Sequence, residues 1–179
     1  MSRYRRSKAA GSTFYFTVVS YRRQAILCDE LIRVALRDSV NAVRKKRPFT
    51  IDAWVLLPDH LHCVWTLPEG DSDFSTRWRM IKHAVSTTCR DAYRRPEWLN
   101  RSKHSHREST LWQRRFWEHQ IRDDKDFARH LDYIHMNPVK HGYVQRVIDW
   151  PYSTFHRYVK QGWMAADWAG DVEVDVRYE

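Results

Sequence analysis

Two stretches of this chain carry side chains that could do chemistry together. The first is Leu57-Pro58-Asp59-His60-Leu61-His62-Cys63-Val64-Trp65, where two histidines flank one apolar residue inside a strand-like run. Successive strand side chains point to opposite faces, so His60 and His62 share one face and Leu61 and Cys63 the other. Two imidazoles side by side can hold one divalent metal ion. The same pair can also form a hydrogen-bonded strand face with no metal. The second stretch, Asp132-Tyr133-Ile134-His135-Met136-Asn137-Pro138-Val139-Lys140-His141-Gly142-Tyr143-Val144, offers a tyrosine, two more histidines and an asparagine.

The second stretch belongs to an expected helix over 124–137. Phe127, Leu131 and Ile134 recur at helical spacing and should face a sheet. Tyr133 lies about 120° around from Phe127, off that apparent core stripe. Asn137 follows one turn later on the same side, with Asp126 and His130 nearby. His135 points roughly 160° away from Tyr133, which assigns it a structural role. Pro138 should stop the helix, because the residue before a proline disfavours helical backbone. Asn137 is therefore legible both as an Asn-Pro turn and as a polar group on the tyrosine's side.

The elements that must position these groups follow from patterning. Strands are expected over 13–21, 49–57, 60–67 and 111–121, with helices over 29–44, 73–93 and 124–137 and a short one over 153–161. Residues 94–109, basic and interrupted by Pro96, read as a loop. The order β-α-β-β-α-β-α gives an α+β, ferredoxin-like split β-α-β fold: an antiparallel sheet, helices on one face, and a C-terminal extension. The helix-free face of such a sheet can serve as a nucleic-acid platform.

At 179 residues and 42% hydrophobic, the chain suits one compact domain, 13–161, between a flexible basic arm, 1–12, and an acidic tail, 162–179. The net charge of +9 points to a polyanionic partner. No segment approaches the ~20 apolar residues of a membrane span. The basic N-terminus has no apolar signal-peptide core, and the three cysteines form no Cys-x-x-Cys pair, so a reduced, cytoplasmic setting is expected. From Arg77 to Arg115, eleven Lys/Arg face only three acidic residues, whereas Asp167 to Glu179 holds one Arg and five acidic residues.

His60-Leu61-His62 resembles the His-hydrophobe-His motif of HUH endonucleases. Tyr133-Ile134-His135-Met136-Asn137-Pro138-Val139-Lys140 resembles the signature of REP-associated tyrosine transposases, single-tyrosine relatives of insertion-sequence transposases. The likeness extends roughly from Phe14 to Tyr158 and includes Trp150-Pro151-Tyr152-Ser153. It implies that Tyr133 attacks a DNA phosphodiester to form a 5′-phosphotyrosine link. It also implies that His60, His62 and Asn137 bind Mg²⁺ or Mn²⁺. The implied substrate is single-stranded DNA beside a hairpin, a repetitive extragenic palindrome (REP). A tyrosine ordinarily ionises near pH 10, so a proton acceptor is needed. Asp126, His130, a metal-bound water and the metal itself are all open.

For the DNA, Arg77, Arg79, Lys82, Arg90, Arg94, Arg95, Arg114 and Arg115 are expected on phosphates, and Trp112, Phe116 and Trp117 on bases. Arg3, Arg5 and Arg6 would reach a groove or the sequence beside the hairpin. Two other function classes compete with this one: a hairpin-binding module without catalysis, and a two-histidine metal hydrolase, for which no obvious third histidine or carboxylate ligand is visible.

Overall fold

The computed structural model describes residues 11–106 and 108–169. Four strands, β1 (Thr13–Val19), β2 (Thr50–Leu56), β3 (His60–Thr66) and β4 (Trp117–Gln120), form one antiparallel sheet in the order β2-β3-β1-β4. The helices are α1 (Glu30–Lys46), α2 (Phe74–Thr88), α3 (Arg90–Tyr93), α4 (Arg101–Ser105), α5 (Asp124–Lys140) and α6 (Phe155–Lys160). This is the expected α+β, split β-α-β arrangement.

Strand alternation divides the sheet chemically. Phe14, Phe16 and Val18 of β1, with Leu61, Cys63 and Trp65 of β3, point to one face and meet α1 and α2 in the larger core cluster. There Trp65 stacks on Trp78 with ring centroids 4.2 Å apart. Each such burial removes a large apolar area from water, so this face supplies most of the hydrophobic stabilisation. The other face is not a bare platform. Helix α5 crosses it, packing Leu131, Tyr133 and Ile134 against Tyr15, Ala53, Val55, Leu57 and Val64.

Several local expectations are revised. Helix α5 runs through Pro138 to Lys140. Its end is set by Gly142, whose φ of +72° suits a residue without Cβ. Tyr143 N–H reaches the Pro138 carbonyl and Gly142 N–H the Val139 carbonyl, each at 2.9 Å, which satisfies the last carbonyls. The fourth strand covers only 117–120, because Lys82 Nζ holds the carbonyls of Gln113 (2.5 Å) and Arg114 (3.3 Å) and Trp112 turns into the core. The loop over 94–109 contains α4 and a single turn at Pro96–Trp98.

Three expected DNA contacts are internal. Trp112 is buried and Phe116 packs against the larger core cluster. Arg77 is 1% exposed. It pairs bidentately with Asp71 (2.6 and 3.2 Å) and donates to the carbonyls of Arg47, Pro48 and Asp73, which uses all five of its N–H groups. It is a structural clamp between α2 and the turns before β2 and α2. Arg77→Met should therefore cost about 3 kcal/mol in urea unfolding, since it removes the buried donor of three backbone carbonyls at roughly 1 kcal/mol or more each.

His135 faces away from the imidazole pair, as expected. It is fully buried, with Nε2 3.2 Å from Thr154 Oγ1 and its ring edge-on to Phe155 and Tyr158, tying α5 to α6. Burial, with help from the Arg157 charge, pushes its pKa from 6.5 down to about 3. The unfolded chain takes up this proton below about pH 6.5 and the folded chain does not. Stability from His135 is thus fully present above pH 6.5 and is lost as pH falls toward 3. Between pH 6 and 4, His135→Gln should flatten the fall in unfolding free energy by up to about 1.4 kcal/mol per pH unit. Urea titrations at several pH values would measure the change in slope.

Candidate active site

The two histidines of β3 are each held through Nδ1. His60 Nδ1 lies 2.6 Å from Asp59 Oδ1. Desolvation would raise the pKa of Asp59, but the hydrogen bonds from His60 and Arg23 outweigh it and hold the carboxyl below its ordinary value. An ionised carboxylate only accepts, so Nδ1 is the donor, and in the neutral ring this leaves Nε2 as the acceptor edge. Asp59 Oδ2 accepts from Arg23 Nη1 at 3.1 Å, anchoring a turn in which Arg22 and Arg23 both hold positive φ, 58° and 50°. His62 Nδ1 lies 2.6 Å from Tyr15 Oη and 2.9 Å from Thr17 Oγ1. Burial, then the nearby His60, His141, Lys140 and Arg23, keeps His62 well below its ordinary pKa of 6.5, so the ring is neutral.

The opposite edges of these rings are unsatisfied. His60 Nε2, His62 Nε2 and both polar atoms of the Asn137 amide are buried with no hydrogen-bond partner among the described residues. Leaving such an atom unmatched costs about 1–3 kcal/mol. The two imidazole rings stand 4.8 Å apart. Two imidazole nitrogens and an amide oxygen are a donor set that suits a divalent first-row metal ion, and the Nδ1 partners are those that orient metal-bound histidines.

Tyr133 approaches from α5. Its ring centroid is 5.3 Å from that of His62 and 6.2 Å from that of Tyr15. It is 5% exposed and part of the smaller core cluster, not outside the core as its angle from Phe127 suggests. The helix presents a broader arc to the sheet than one apolar stripe, because the sheet here offers histidines and a tyrosine as well as aliphatic groups. Asn137, fully buried, lies one turn further along α5.

Sequence reasoning missed several neighbours. Lys140 Nζ sits 5.1 Å from the Tyr133 ring centroid, and the His141 ring is 5.3 Å from the His60 ring. Both reach the site because α5 continues past Pro138. His141 is thus a third imidazole at the site. Tyr15 and Thr17 were hidden because only the strand register, Thr17 opposite His62, brings them there. Asp59 was visible but passes for turn chemistry.

The expected DNA-contacting residues do not gather around the imidazoles. Arg79, Arg90, Arg94, Arg114 and Arg115 are exposed on α2 and the segment after it, while Lys82 and Arg95 are half-buried. Arg114 is ion-paired with Glu108. Trp117, 38% exposed on β4, packs edge-on against Tyr15. Arg3, Arg5 and Arg6, with most of the acidic tail, lie outside the described residues.

Residues 11–137, from the start of the sheet to Asn137, match the family model of IS200-like transposases. The chain belongs to that family. Its matched segment contains His60, His62, Tyr133 and Asn137. The chain is 48% identical to the REP-associated tyrosine transposase of Escherichia coli (strain K12) over 172 residues, 96% of this chain and 93% of that one. It is also similar to a solved structure described as a REP-associated tyrosine transposase bound to a REP hairpin. That likeness has a TM-score of 0.82 and 47% identity, and covers 100% of this chain and 98% of the other. In this IS200-like transposase no described helix is long and apolar enough to cross a membrane.

The hydroxyl of Tyr15 holds the Nδ1 edge of His62, opposite its Nε2. Tyr15→Phe should keep the packing and leave Thr17 alone to hold the ring at Nδ1. A loss of about tenfold in Mn²⁺ affinity is expected, at the lower end for such supporting partners. Isothermal titration with Mn²⁺ and no DNA measures it.

Proposed function

We propose that this transposase is a metal-dependent endonuclease and strand transferase for single-stranded DNA at REP hairpins, acting through a 5′-phosphotyrosine at Tyr133. The observation that carries this reading is two unmatched imidazole Nε2 atoms beside a tyrosine ring 5.3 Å from His62, with a buried, unmatched amide one turn along the tyrosine's helix. A similar chain of known structure is described as bound to a REP hairpin, which supports the same class of DNA here.

His60 Nε2, His62 Nε2 and Asn137 Oδ1 would hold Mg²⁺ or Mn²⁺, which polarises the scissile phosphate and offsets developing charge. Imidazole donors suit Mn²⁺ better than Mg²⁺, so Mn²⁺ should serve at least as well. Tyr133 Oη forms the new bond to phosphorus while the bond from phosphorus to O3′ breaks. The phenolic proton goes to a base at the site, and O3′ departs as a hydroxyl after gaining a proton. Attack by a 3′-hydroxyl on the phosphotyrosine runs the same exchange backwards, rejoining DNA and releasing Tyr133. Lys140 adds positive charge beside the ring, where the phosphate must enter.

For the strand itself, Arg79, Lys82, Arg90, Arg94, Arg95, Arg114 and Arg115 are the phosphate contacts, and Trp117 at the β4 edge is the base-stacking surface. Arg3, Arg5 and Arg6 of the 1–12 arm reach the flanking DNA; the described part of the acidic 162–179 tail packs on α6, Trp163 against Tyr158 and Trp168 against Phe155.

Incubation with REP-hairpin single strands and Mn²⁺, followed by a denaturing gel, should give a covalent protein–DNA adduct. Tyr133→Phe should abolish it. Cleavage that survives the substitution would instead indicate hydrolysis, and tight binding with no cleavage would indicate a binding module.

A further inference from the structure

A second cluster of metal-binding side chains lies apart from the β3 imidazoles. We propose that His119, Asp126 and His130 form a separate Zn²⁺ site that pins the start of α5 to strand β4. One ligand atom from each of the three lies within 4.8 Å of the others. The two rings stack with centroids 4.9 Å apart, and the Asp126 carboxylate meets a nitrogen of each: His119 Nε2 is 2.8 Å from Oδ2 and His130 Nδ1 is 3.2 Å from Oδ1. Around a tetrahedral zinc with bonds of about 2.0–2.1 Å, neighbouring donors are about 3.3 Å apart. Seating the ion requires the three donors to draw in from within 4.8 Å to that spacing.

The carboxylate is also held in place. Arg122 N–H donates to Oδ2 at 3.0 Å, and Asp126 N–H donates to the N-cap carboxylate of Asp123 at 2.8 Å. His130 Nδ1 is further engaged by the Asp126 carbonyl at 2.8 Å, so zinc would draw this nitrogen from the carbonyl or take the ring's other edge. Side-chain exposures of 18% for His119 and 19% for Asp126 leave one side open to water, which supplies the fourth ligand. Two neutral imidazoles and one carboxylate select a transition metal over Mg²⁺ or Ca²⁺, and a site with three protein ligands plus water is a zinc arrangement.

The location gives such an ion a role. Strand β4 is four residues long and at the sheet edge, and the helix carrying Tyr133 begins just after it. Tyr15 lies between the two centres, its ring 4.7 Å from that of His130 and its hydroxyl on His62. Zinc here fixes the nucleophile's helix and takes no part in the reaction.

The test uses the full chain carrying His60→Ala and His62→Ala, which removes the other imidazole pair. After chelation, Zn²⁺ loading and gel filtration, elemental analysis should find one zinc per chain, and the melting temperature should rise by about 5 °C over the zinc-free protein. Co²⁺ in its place should give the visible ligand-field bands of a four-coordinate site. Adding Asp126→Asn, which keeps the side chain's shape, should abolish retention, the melting shift and the bands; His119→Gln should do the same. Zinc at background in the His60→Ala, His62→Ala chain overturns the proposal, as does retention that survives Asp126→Asn. Neither outcome bears on whether Tyr133 forms a DNA adduct.

Discussion

The α5 face is organised by the fact that both β3 imidazoles are already engaged at Nδ1. Asp59 takes one, and Tyr15 with Thr17 takes the other. Each ring can then turn only its Nε2 edge toward α5, where Asn137 and Tyr133 come in. Two of the three holding groups belong to β1, which pairs with β3 so that Thr17 faces His62 and Tyr15 lies diagonally from it. Sheet register therefore sets the orientation of His62, while that of His60 is set by its chain neighbour Asp59. A slip of one residue would carry both histidines into the apolar core on the opposite face and destroy the site and the fold together.

That coupling is tolerable because the two faces divide the labour. On the α1 and α2 side the packing is almost wholly apolar, with Phe14, Phe16, Trp65, Phe74 and Trp78 fully or nearly fully buried. On the α5 side the buried groups include His60, His62, His130, His135 and Asn137. Buried polar groups of that kind contribute little net stability and cost much when unmatched. Residues 60–65 belong to both faces at once, since β3 sends His60, His62 and Val64 to one side and Leu61, Cys63 and Trp65 to the other.

What could be seen in the sequence was whatever depends on local geometry. Strand alternation put His60 and His62 on one face, and helical periodicity put Asn137 one turn from Tyr133. Periodicity also turned His135 away, and the order of elements produced the sheet. What escaped depends on tertiary context. Nothing local marks Tyr15 as a partner of His62, because their relation is one of register across 47 positions. Arg77 looks like its neighbours in a basic run, yet a bidentate carboxylate and three carbonyls draw it inside. Pro138 would end most helices, but here a glycine-based cap four residues later and packing against the sheet keep the last turn helical. That turn is what delivers Lys140 and His141.

The site is divided between two bodies, and this decides what can tune it. The imidazoles ride on the sheet and are held from within it, whereas Tyr133 and Asn137 ride on α5. The attitude of that helix is set at both ends and from behind: by the His119–Asp126–His130 group at its start, by His135 against Thr154 and α6 on its outer side, and by the Gly142 cap at its finish. A small tilt of α5 moves Tyr133 and Asn137 together relative to the pair on β3, without disturbing the Nδ1 contacts. Tolerances in catalytic alignment are of ångström order. Residues that touch neither DNA nor metal, but fix this one helix, therefore belong to the machinery as much as the groups they aim.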